Sequence, residues 1–198
     1  MRTEAELIAG MMRRDPGIFE EFVRRYQQRV YFTALRMMGE RDEALDVAQE
    51  VFLKIWRFAA RMKAESQLER WVYRITVNAC IDRLRERRRF DPPSPQSNVI
   101  LLSLLETGIT PYEYAQQAQE LLRIKQALGQ LTERQRAVFV LRHFQNQKIN
   151  EIADILSISV GAVKATLHQT LMKLRGLLSR HLNAGADIES RADEVGSV

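Results

Sequence analysis

The sequence predicts an all-α protein in which two small helical domains are joined by a proline-rich linker. Apolar residues recur at helical spacing along nearly the whole chain of 198 residues, and no convincing run shows the alternation of a strand. Four of the five prolines fall at positions 92, 93, 95 and 111, among serine, glutamine and asparagine. We therefore expect domains at residues 1–89 and 112–182, a linker at 90–111, and a disordered tail at 183–198.

The first two helices have clear start and stop signals. Thr3 with Glu6 forms a capping box, which predicts a short helix through residue 12. Asp15 before Pro16 combines an N-cap with a proline at the first helical position, and Gly39 stands where the second helix should end.

The third and fourth helices complete the first domain. The third follows Asp42, and its inward stripe is expected to be Leu45, Ala48, Val51, Phe52, Ile55 and Phe58. Its outer face would then carry Glu43, Asp46, Glu50, Lys54 and Arg57. Ser66 with Glu69 forms a second capping box, so a fourth helix should run from there to the basic end at Arg89.

The second domain has the same kinds of signals. Thr110, Pro111 and Glu113 predict a helix that ends near residue 128, and Thr132 with Gln135 caps the next one. A short helix at 149–156 and a turn at 157–159 follow. The last helix carries an apolar stripe of Val163, Leu167, Leu171, Leu174 and Leu178, and it should fray after Leu182.

Residues 149–169 have the parts of a helix-turn-helix, namely a short helix, a three-residue turn and a longer helix. Ala153 is small where two helices would cross, Ile158 can plug the turn, and Ser159 can cap the second helix. That helix would enter a major groove with Lys164, Ala165, His168 and Gln169 exposed. Gln169 suits adenine, and Lys164 suits guanine or phosphate. An ordinary helical hairpin within a bundle is the alternative.

A basic cluster ends the fourth helix and has aromatic residues upstream of it. It comprises Arg83, Arg85, Arg87, Arg88 and Arg89, with Trp71, Tyr73, Arg74 and Asn78 before them. Phosphate binding combined with stacking of unpaired bases would use these residue types. The alternative is that Trp71 belongs to the core and the arginines form a solvated helix end.

Composition limits the possible partners and compartments. A net charge of +5 and a pI of about 9.6 favour a polyanion, either nucleic acid or an anionic membrane surface. The single cysteine, Cys80, excludes an internal disulfide and a multi-cysteine zinc site. The N-terminus lacks a signal-peptide core, and no apolar stretch reaches the ~20 residues that span a bilayer. We expect a cytoplasmic protein.

The sequence contains few of the motifs that an enzyme would need. His143, His168 and His181 have neither a cysteine nor paired carboxylates nearby at metal-ligand spacing. There is no glycine-rich phosphate loop, no nucleophile elbow and no carboxylate cluster that would hold catalytic metal ions. We therefore expect no enzyme activity, no catalytic or metal site, no cofactor and no small-molecule substrate.

Three stretches, taken in order, resemble the extracytoplasmic-function group of bacterial sigma factors. The first is residues 42–56, DEALDVAQEVFLKIW; the second is 71–78, WVYRITVN, with 82–85, DRLR. The third runs from LTERQR at 131–136 through EIA at 151–153 to ISVGAVK at 158–164. The resemblance covers about residues 4–89 and 112–178, nearly all of the chain that should fold.

The resemblance implies that the protein binds core RNA polymerase, directs it to a promoter and helps to melt the duplex. It places core-polymerase binding on Asp46, Gln49, Glu50 and Lys54. It places the minus-ten element on Lys63, Ser66, Trp71, Arg74, Asn78, Asp82 and Arg85, and the minus-thirty-five element on Lys164, Ala165, His168 and Gln169. The loop at 61–67 would hold a flipped base. Many members of the family are held inactive by an anti-sigma protein. The sequence leaves open whether this protein has such a partner.

The sequence departs from the family in its recognition helix. Members commonly carry arginines or serines after the lysine, whereas Ala165, His168 and Gln169 stand here. Ser157 also replaces a glycine that is common in the turn. Fewer cations predict weak binding by this domain alone, because phosphate contacts supply most of the affinity. The alternative function is a helix-turn-helix regulator that binds duplex DNA without polymerase, but it would need neither the acidic face nor the arginine-rich first domain.

Overall fold

All regular structure in the computed structural model is helical across the residues that it describes, 2–61, 67–90 and 126–195. The first domain holds α1 (Glu4–Met12), α2 (Pro16–Met38), α3 (Arg41–Phe58), a 3-10 turn (Ala59–Arg61) and α4 (Leu68–Phe90). The second holds a helical turn at 126–129, α5 (Glu133–His143), α6 (Ile149–Leu156) and α7 (Val160–Val195). The predicted all-α class is confirmed. Nearly all of the predicted linker lies outside the described residues.

The capping signals act at the positions where the sequence places them. The backbone N–H of Thr3 donates to Glu6 Oε2 at 2.7 Å, and hydrogen bonds from Thr3 lower the pKa of the Glu6 carboxyl. Asp15 Oδ1 accepts from the first backbone N–H groups of α2, and Gly39 ends that helix with φ of 80°. Thr132 caps α5 with a full capping box. The predicted cap Ser66 lies outside the described residues.

The inward face of α3 is rotated from the predicted one. Leu45 and Phe58, which the sequence places inward, are 43% and 47% exposed, whereas Ala44 and Val47 are buried. The buried stripe is Ala44, Val47, Ala48, Val51 and Ile55. The reason is that α3 packs against both α2 and α4, so two neighbouring helices decide which residues face inward. The prediction for Leu45 and Phe58 is therefore wrong.

Helix α7 differs from the prediction in which residues it buries and in where it ends. Leu171 is 44% exposed, and Thr170 is buried instead, with its hydroxyl donating to the Thr166 carbonyl at 2.7 Å. The backbone is helical as far as Val195, beyond Leu182, where the sequence predicts fraying. Residues 183–195 contain no proline and are rich in alanine and glutamate, which favour helix.

The two domains pack against each other. Helices α2 and α4 of the first domain contact α5 and α6 of the second. Apolar side chains from both domains form one continuous buried cluster, and a smaller cluster joins residues 127, 128 and 131 to Leu174 and Leu177. The sequence left open whether the domains sit together or apart, and in this structure they sit together.

Candidate nucleic-acid interface

The outer face of α3 gathers the four residues that the resemblance assigns to polymerase. Asp46, Gln49 and Glu50 are exposed, and half-buried Lys54 pairs with Glu50 at 2.6 Å. Successive members of this group lie three, one and four residues apart, which places them on one helix face.

Two leucines flank that charged face. Leu45 is 43% exposed and Leu53 is 58% exposed. The sequence interpretation assigned Leu45 to the core and did not single out Leu53. Their spacing of eight residues, with Gln49 midway between them, was the signal that was missed. Carboxylates repel phosphate and exposed leucines favour apolar contact, so the chemistry of this α3 face suits a protein partner.

Five predicted minus-ten residues lie along one side of α4. Arg74, Asn78, Asp82 and Arg85 are exposed at intervals of three or four residues, and Trp71 is half-buried at the start of the stripe. Trp71 also packs against the core, so both sequence interpretations of it hold in part. The other two predicted residues, Lys63 and Ser66, lie outside the described residues.

Tyr73 is a core residue and cannot stack on a base. It is 4% exposed, and its hydroxyl donates to Gln145 Oε1 at 2.9 Å. Burial raises the pKa of its phenol to about 12. The sequence grouped Tyr73 with the basic cluster, and that grouping is wrong because the residue lies on the inward side of α4.

Carboxylates neutralise part of the arginine cluster. Arg87 bonds Glu43 at 3.0 Å, and Arg88 pairs with Glu133 at 3.0 Å. Arg88 also donates to the Leu131 carbonyl at 3.0 Å. Partly exposed ion pairs of this kind contribute little to stability, about 0–1 kcal/mol. They nevertheless lower the positive charge that this end of α4 can offer to phosphates.

The helix-turn-helix forms as the sequence predicts. Ser157 takes the left-handed conformation, with φ of 53°, at the end of α6. Ser159 Oγ accepts the Ala162 N–H at 3.1 Å and so caps α7. Ile158 is half-buried against the core, and Ala153 is 6% exposed. The Ser159 cap therefore starts α7 through a local hydrogen bond, and Ile158 packs the turn against the core.

The first turns of α7 present the predicted minus-thirty-five residues together. Lys164, Ala165, His168 and Gln169 are all exposed, and their spacing places them on one side of the helix. Val160 shares that side, four residues before Lys164, and is 37% exposed. Sequence reasoning omitted Val160, although its position one helical turn before Lys164 was visible.

Three polar contacts join α6 to the start of α4. Arg70 Nη1 pairs with Asp154 Oδ2 at 2.8 Å, and Arg70 Nη2 lies 3.8 Å from Glu151 Oε1. Arg74 Nη2 donates to the Asp154 carbonyl at 2.6 Å. Arg74, one of the predicted minus-ten residues, is thus hydrogen-bonded to the helix-turn-helix.

A buried cation and an aromatic contact also cross between the domains. Arg136 is 7% exposed and donates to the carbonyls of Met37 and Leu128 at 2.7 and 2.9 Å. Burial, with Arg87 and Arg88 nearby, lowers the pKa of Arg136 to about 10. The Arg36 guanidinium lies 4.7 Å from the centre of the Phe144 ring.

The part of the chain that the structure describes contains neither a candidate metal site nor a membrane-spanning helix. Among the side chains of residues 2–61, 67–89 and 126–179 there is no group of three or more His, Cys, Asp or Glu that could ligate a metal ion. No helix among them is both long and apolar enough to cross a bilayer.

Two family models match the chain. Sigma-70 region 2 matches residues 22–90, and Sigma-70 region 4 matches residues 121–174. The chain is 28% identical to the ECF RNA polymerase sigma factor SigM of Mycobacterium tuberculosis over 187 residues, 94% of this chain and 90% of that protein. It is 27% identical to SigW of Bacillus subtilis, an ECF RNA polymerase sigma factor, over 166 residues, which are 81% of this chain and 89% of SigW.

Solved structures share the fold. CnrH in complex with the cytosolic domain of CnrY aligns with a TM-score of 0.63 and 24% identity, over 89% of this chain and 97% of that one. The sigma factor RpoE of Bartonella quintana, in complex with the anti-sigma factor NepR, aligns with a TM-score of 0.59 and 21% identity. That alignment covers 81% of this chain and 96% of RpoE.

Proposed function

The chain belongs to the extracytoplasmic-function group of bacterial sigma factors, and from that premise we propose which of its surfaces carry each step of transcription initiation. As a member of this group it is an initiation factor that binds RNA polymerase and directs it to promoters. The proposal assigns one surface to polymerase and two to DNA.

We assign polymerase binding to the outer face of α3. Asp46, Gln49 and Glu50 would make polar contacts, and Lys54 would hold Glu50 in place through their ion pair. Leu45 and Leu53 would supply the apolar anchors that protein interfaces need near their centre. This exposed face is the observation that most favours a sigma subunit over a plain DNA-binding regulator, because a regulator has no use for it.

We assign the minus-ten element to the α4 stripe and the minus-thirty-five element to α7. Trp71, Arg74, Asn78, Asp82 and Arg85 would line an unpaired strand, with Lys63 and Ser66 near the flipped base. Lys164, Ala165, His168 and Gln169 would meet base edges and phosphates in the major groove. Val160 adds an apolar side chain, which suits a thymine methyl group.

The polymerase supplies the nucleotidyl-transfer chemistry, and this chain catalyses nothing itself. The protein acts in the bacterial cytoplasm, where the polymerase binds the chromosome. We also propose an anti-sigma protein as its regulator, because the RpoE and CnrH structures were solved as complexes, RpoE with an anti-sigma factor and CnrH with CnrY.

Run-off transcription with purified core polymerase tests the proposal. A library of promoter-like duplexes is transcribed with and without the protein, and co-elution with core polymerase is measured in parallel. Protein-dependent transcripts that share an upstream pair of sequence elements are expected. Absence of both transcripts and co-elution, together with binding of duplex DNA, would favour the helix-turn-helix regulator instead.

A further inference from the structure

Four exposed side chains form a basic and aromatic surface at one end of the first domain, called here the end patch: Arg13, Arg14, Phe58 and Arg61. The rings of Phe19 and Trp56, 4.7 Å apart, join the start of α2 to the end of α3 at this end of the domain. Helix α1 contacts the 3-10 turn that follows α3, and a short turn leads from α1 into α2. The end patch therefore lies beside Arg61, where the loop at 61–67 begins.

The positive charge of the end patch is not neutralised. None of its three arginines forms an ion pair with any residue that the structure describes. Asp15, the acidic residue next to Arg14, accepts from backbone N–H groups at the start of α2. At the opposite end of the domain, by contrast, Arg87 and Arg88 are paired with carboxylates. The end patch thus offers phosphates cations that no carboxylate already holds.

The local geometry of the end patch suits an unpaired strand. Phe58 is 47% exposed, and the Arg61 guanidinium lies 5.9 Å from the centre of its ring. Rings beside cations bind single strands, because every base has a face that can stack and every phosphate can pair. Arg14 has φ of 57°, a left-handed conformation that glycine would adopt without strain. A use for the arginine side chain explains why glycine does not stand there.

We infer that the end patch binds the unpaired non-template strand where it continues past the minus-ten element toward the transcription start. Arg13, Arg14 and Arg61 would contact its phosphates, and Phe58 would stack on one base. The inference rests on the proposed function, which assigns the minus-ten strand to α4 and the loop at 61–67. Upstream of the minus-ten element the promoter stays paired, so an unpaired strand that leaves the loop continues downstream. Its binding would be tolerant of sequence and would help to hold the two strands apart.

Fork-junction promoters bound by the complete holoenzyme test the inference. Each has duplex DNA upstream and a single-stranded non-template tail of one of three kinds. The stopped tail ends with the minus-ten element, the continued tail runs past it, and the abasic tail runs equally far but lacks bases beyond the element. Comparing the three separates contacts to phosphates from stacking on bases.

Two variants of the end patch are compared with two matched controls. Arg13→Gln combined with Arg14→Gln removes two cations and keeps the length of both side chains, and Phe58→Ala removes the ring. Arg24→Gln combined with Arg175→Gln removes two exposed arginines from other surfaces.

The control for Phe58→Ala is Met172→Ala, which shortens an apolar side chain that is 55% exposed on α7. The affinity of every variant for core polymerase is measured by competition, so that loss of polymerase binding is not mistaken for loss of tail binding.

The wild-type holoenzyme should bind the continued tail at least about fivefold more tightly than the stopped tail, the contribution of one stacked base. The double arginine variant should lower the slope of log affinity against log salt by about 1.4 on the continued and abasic tails, since each single-strand phosphate contributes about 0.7. Phe58→Ala should lose about fivefold on the continued tail and nothing on the abasic tail. Both controls should match wild type on all three tails.

Several outcomes would overturn the inference. Equal wild-type binding of the stopped and continued tails is one, and variant losses no larger than those of the controls are another. A double arginine variant that is less stable but binds every tail normally would show that these cations only stabilise the C-terminal end of α1. Sedimentation with vesicles of phosphatidylglycerol and phosphatidylethanolamine examines the other polyanion. Vesicle binding that needs Arg13 and Arg14, with tail binding unchanged, would assign the end patch to a membrane surface instead.

Run-off transcription separates failure of this inference from failure of the proposed function. A holoenzyme that initiates at its promoter but gains nothing from the continued tail refutes the role of the end patch and leaves the sigma assignment intact. A wild-type chain that neither binds core polymerase nor initiates transcription refutes both.

Discussion

Arg136 of α5 reaches across the domain boundary and donates to the Met37 carbonyl, in the last turn of α2, over 2.7 Å. Its guanidinium also bonds the Leu128 carbonyl, so one side chain of the second domain satisfies backbone acceptors in both domains. The C-terminus of a helix carries partial negative charge, which favours a cation there. The contact explains how a charged residue can be 7% exposed although no carboxylate of the described residues is bonded to it.

Replacing Arg136 should destabilise the protein. Arg136→Met removes both hydrogen bonds and leaves two carbonyl acceptors to be solvated, at a cost of about 1–3 kcal/mol in the free energy of unfolding. Urea titration followed by circular dichroism measures this. Arg136→Lys keeps the charge but cannot bridge both carbonyls, so it should lose stability as well. A Met variant as stable as wild type would mean that desolvation of the guanidinium cancels its bonds.

A glycine in place of Ser157, in the turn of the helix-turn-helix, should increase the stability of the protein. Ser157 holds φ of 53°, a conformation that costs a non-glycine residue energy. Ser157→Gly relieves this strain, at some cost in the entropy of the unfolded chain, for a net gain of about 0.5–1 kcal/mol. Thermal unfolding measures the gain. Ser157→Ala keeps the strain and should show none; an equal gain in both variants would contradict the explanation.

A charge on the outer face of α3 should weaken polymerase binding. Leu53 is 58% exposed, so Leu53→Asp leaves the fold intact but would bury a carboxylate in the proposed interface. The affinity for core polymerase, measured by competition with a labelled wild-type chain, should fall at least about tenfold. Met12→Asp is the control, because Met12 is 37% exposed on α1, a different helix. Equal losses in both would remove α3 as the binding face.

Val160 should make promoter binding sensitive to a thymine methyl group. Deoxyuridine in place of thymine at one position of the minus-thirty-five element should lower holoenzyme affinity about fourfold, the value of one buried methyl group. Val160→Ala should abolish that difference. Anisotropy with matched duplexes measures both effects. If every thymine of the element can be replaced without a change in affinity, Val160 makes no such contact.

Alkaline pH should weaken the fold through Tyr73. Burial raises the pKa of its phenol to about 12, whereas an unfolded tyrosine ionises near pH 10. The unfolded state therefore loses this proton first, so the contribution of Tyr73 is complete below about pH 10 and declines as pH rises toward 12. Tyr73→Phe should flatten this part of the pH dependence of unfolding free energy, measured by urea titration. An unchanged slope would contradict the role assigned to burial.

Local signals allowed much of the fold to be predicted. The Thr3, Asp15, Thr132 and Ser159 caps and the Gly39 stop all act within a few residues of their own position. Such signals depend on backbone bonds that form in any context, so the sequence is sufficient for them. The exposed residues of α7 followed from the helix-turn-helix arrangement, and those of α4 from the family resemblance.

Periodicity was less reliable where a helix has several neighbours. Leu45 and Leu171 fit an inward stripe on spacing alone, yet Ala44 and Thr170 are buried in their place. A helix with many apolar residues has more than one possible stripe. The choice between them is made by the helices that pack against it, and these lie far away in the chain.

The sequence by itself determined the helical class, the capped ends, the helix-turn-helix and the resemblance that named the family. Only the tertiary structure decided that the Tyr73 ring is buried, that leucines flank the α3 face and that Arg74 is held by α6. The Arg74 contact joins residues 80 positions apart. Such a contact depends on how whole domains pack, and no local spacing encodes that, because its free energy arises only when both surfaces are already folded.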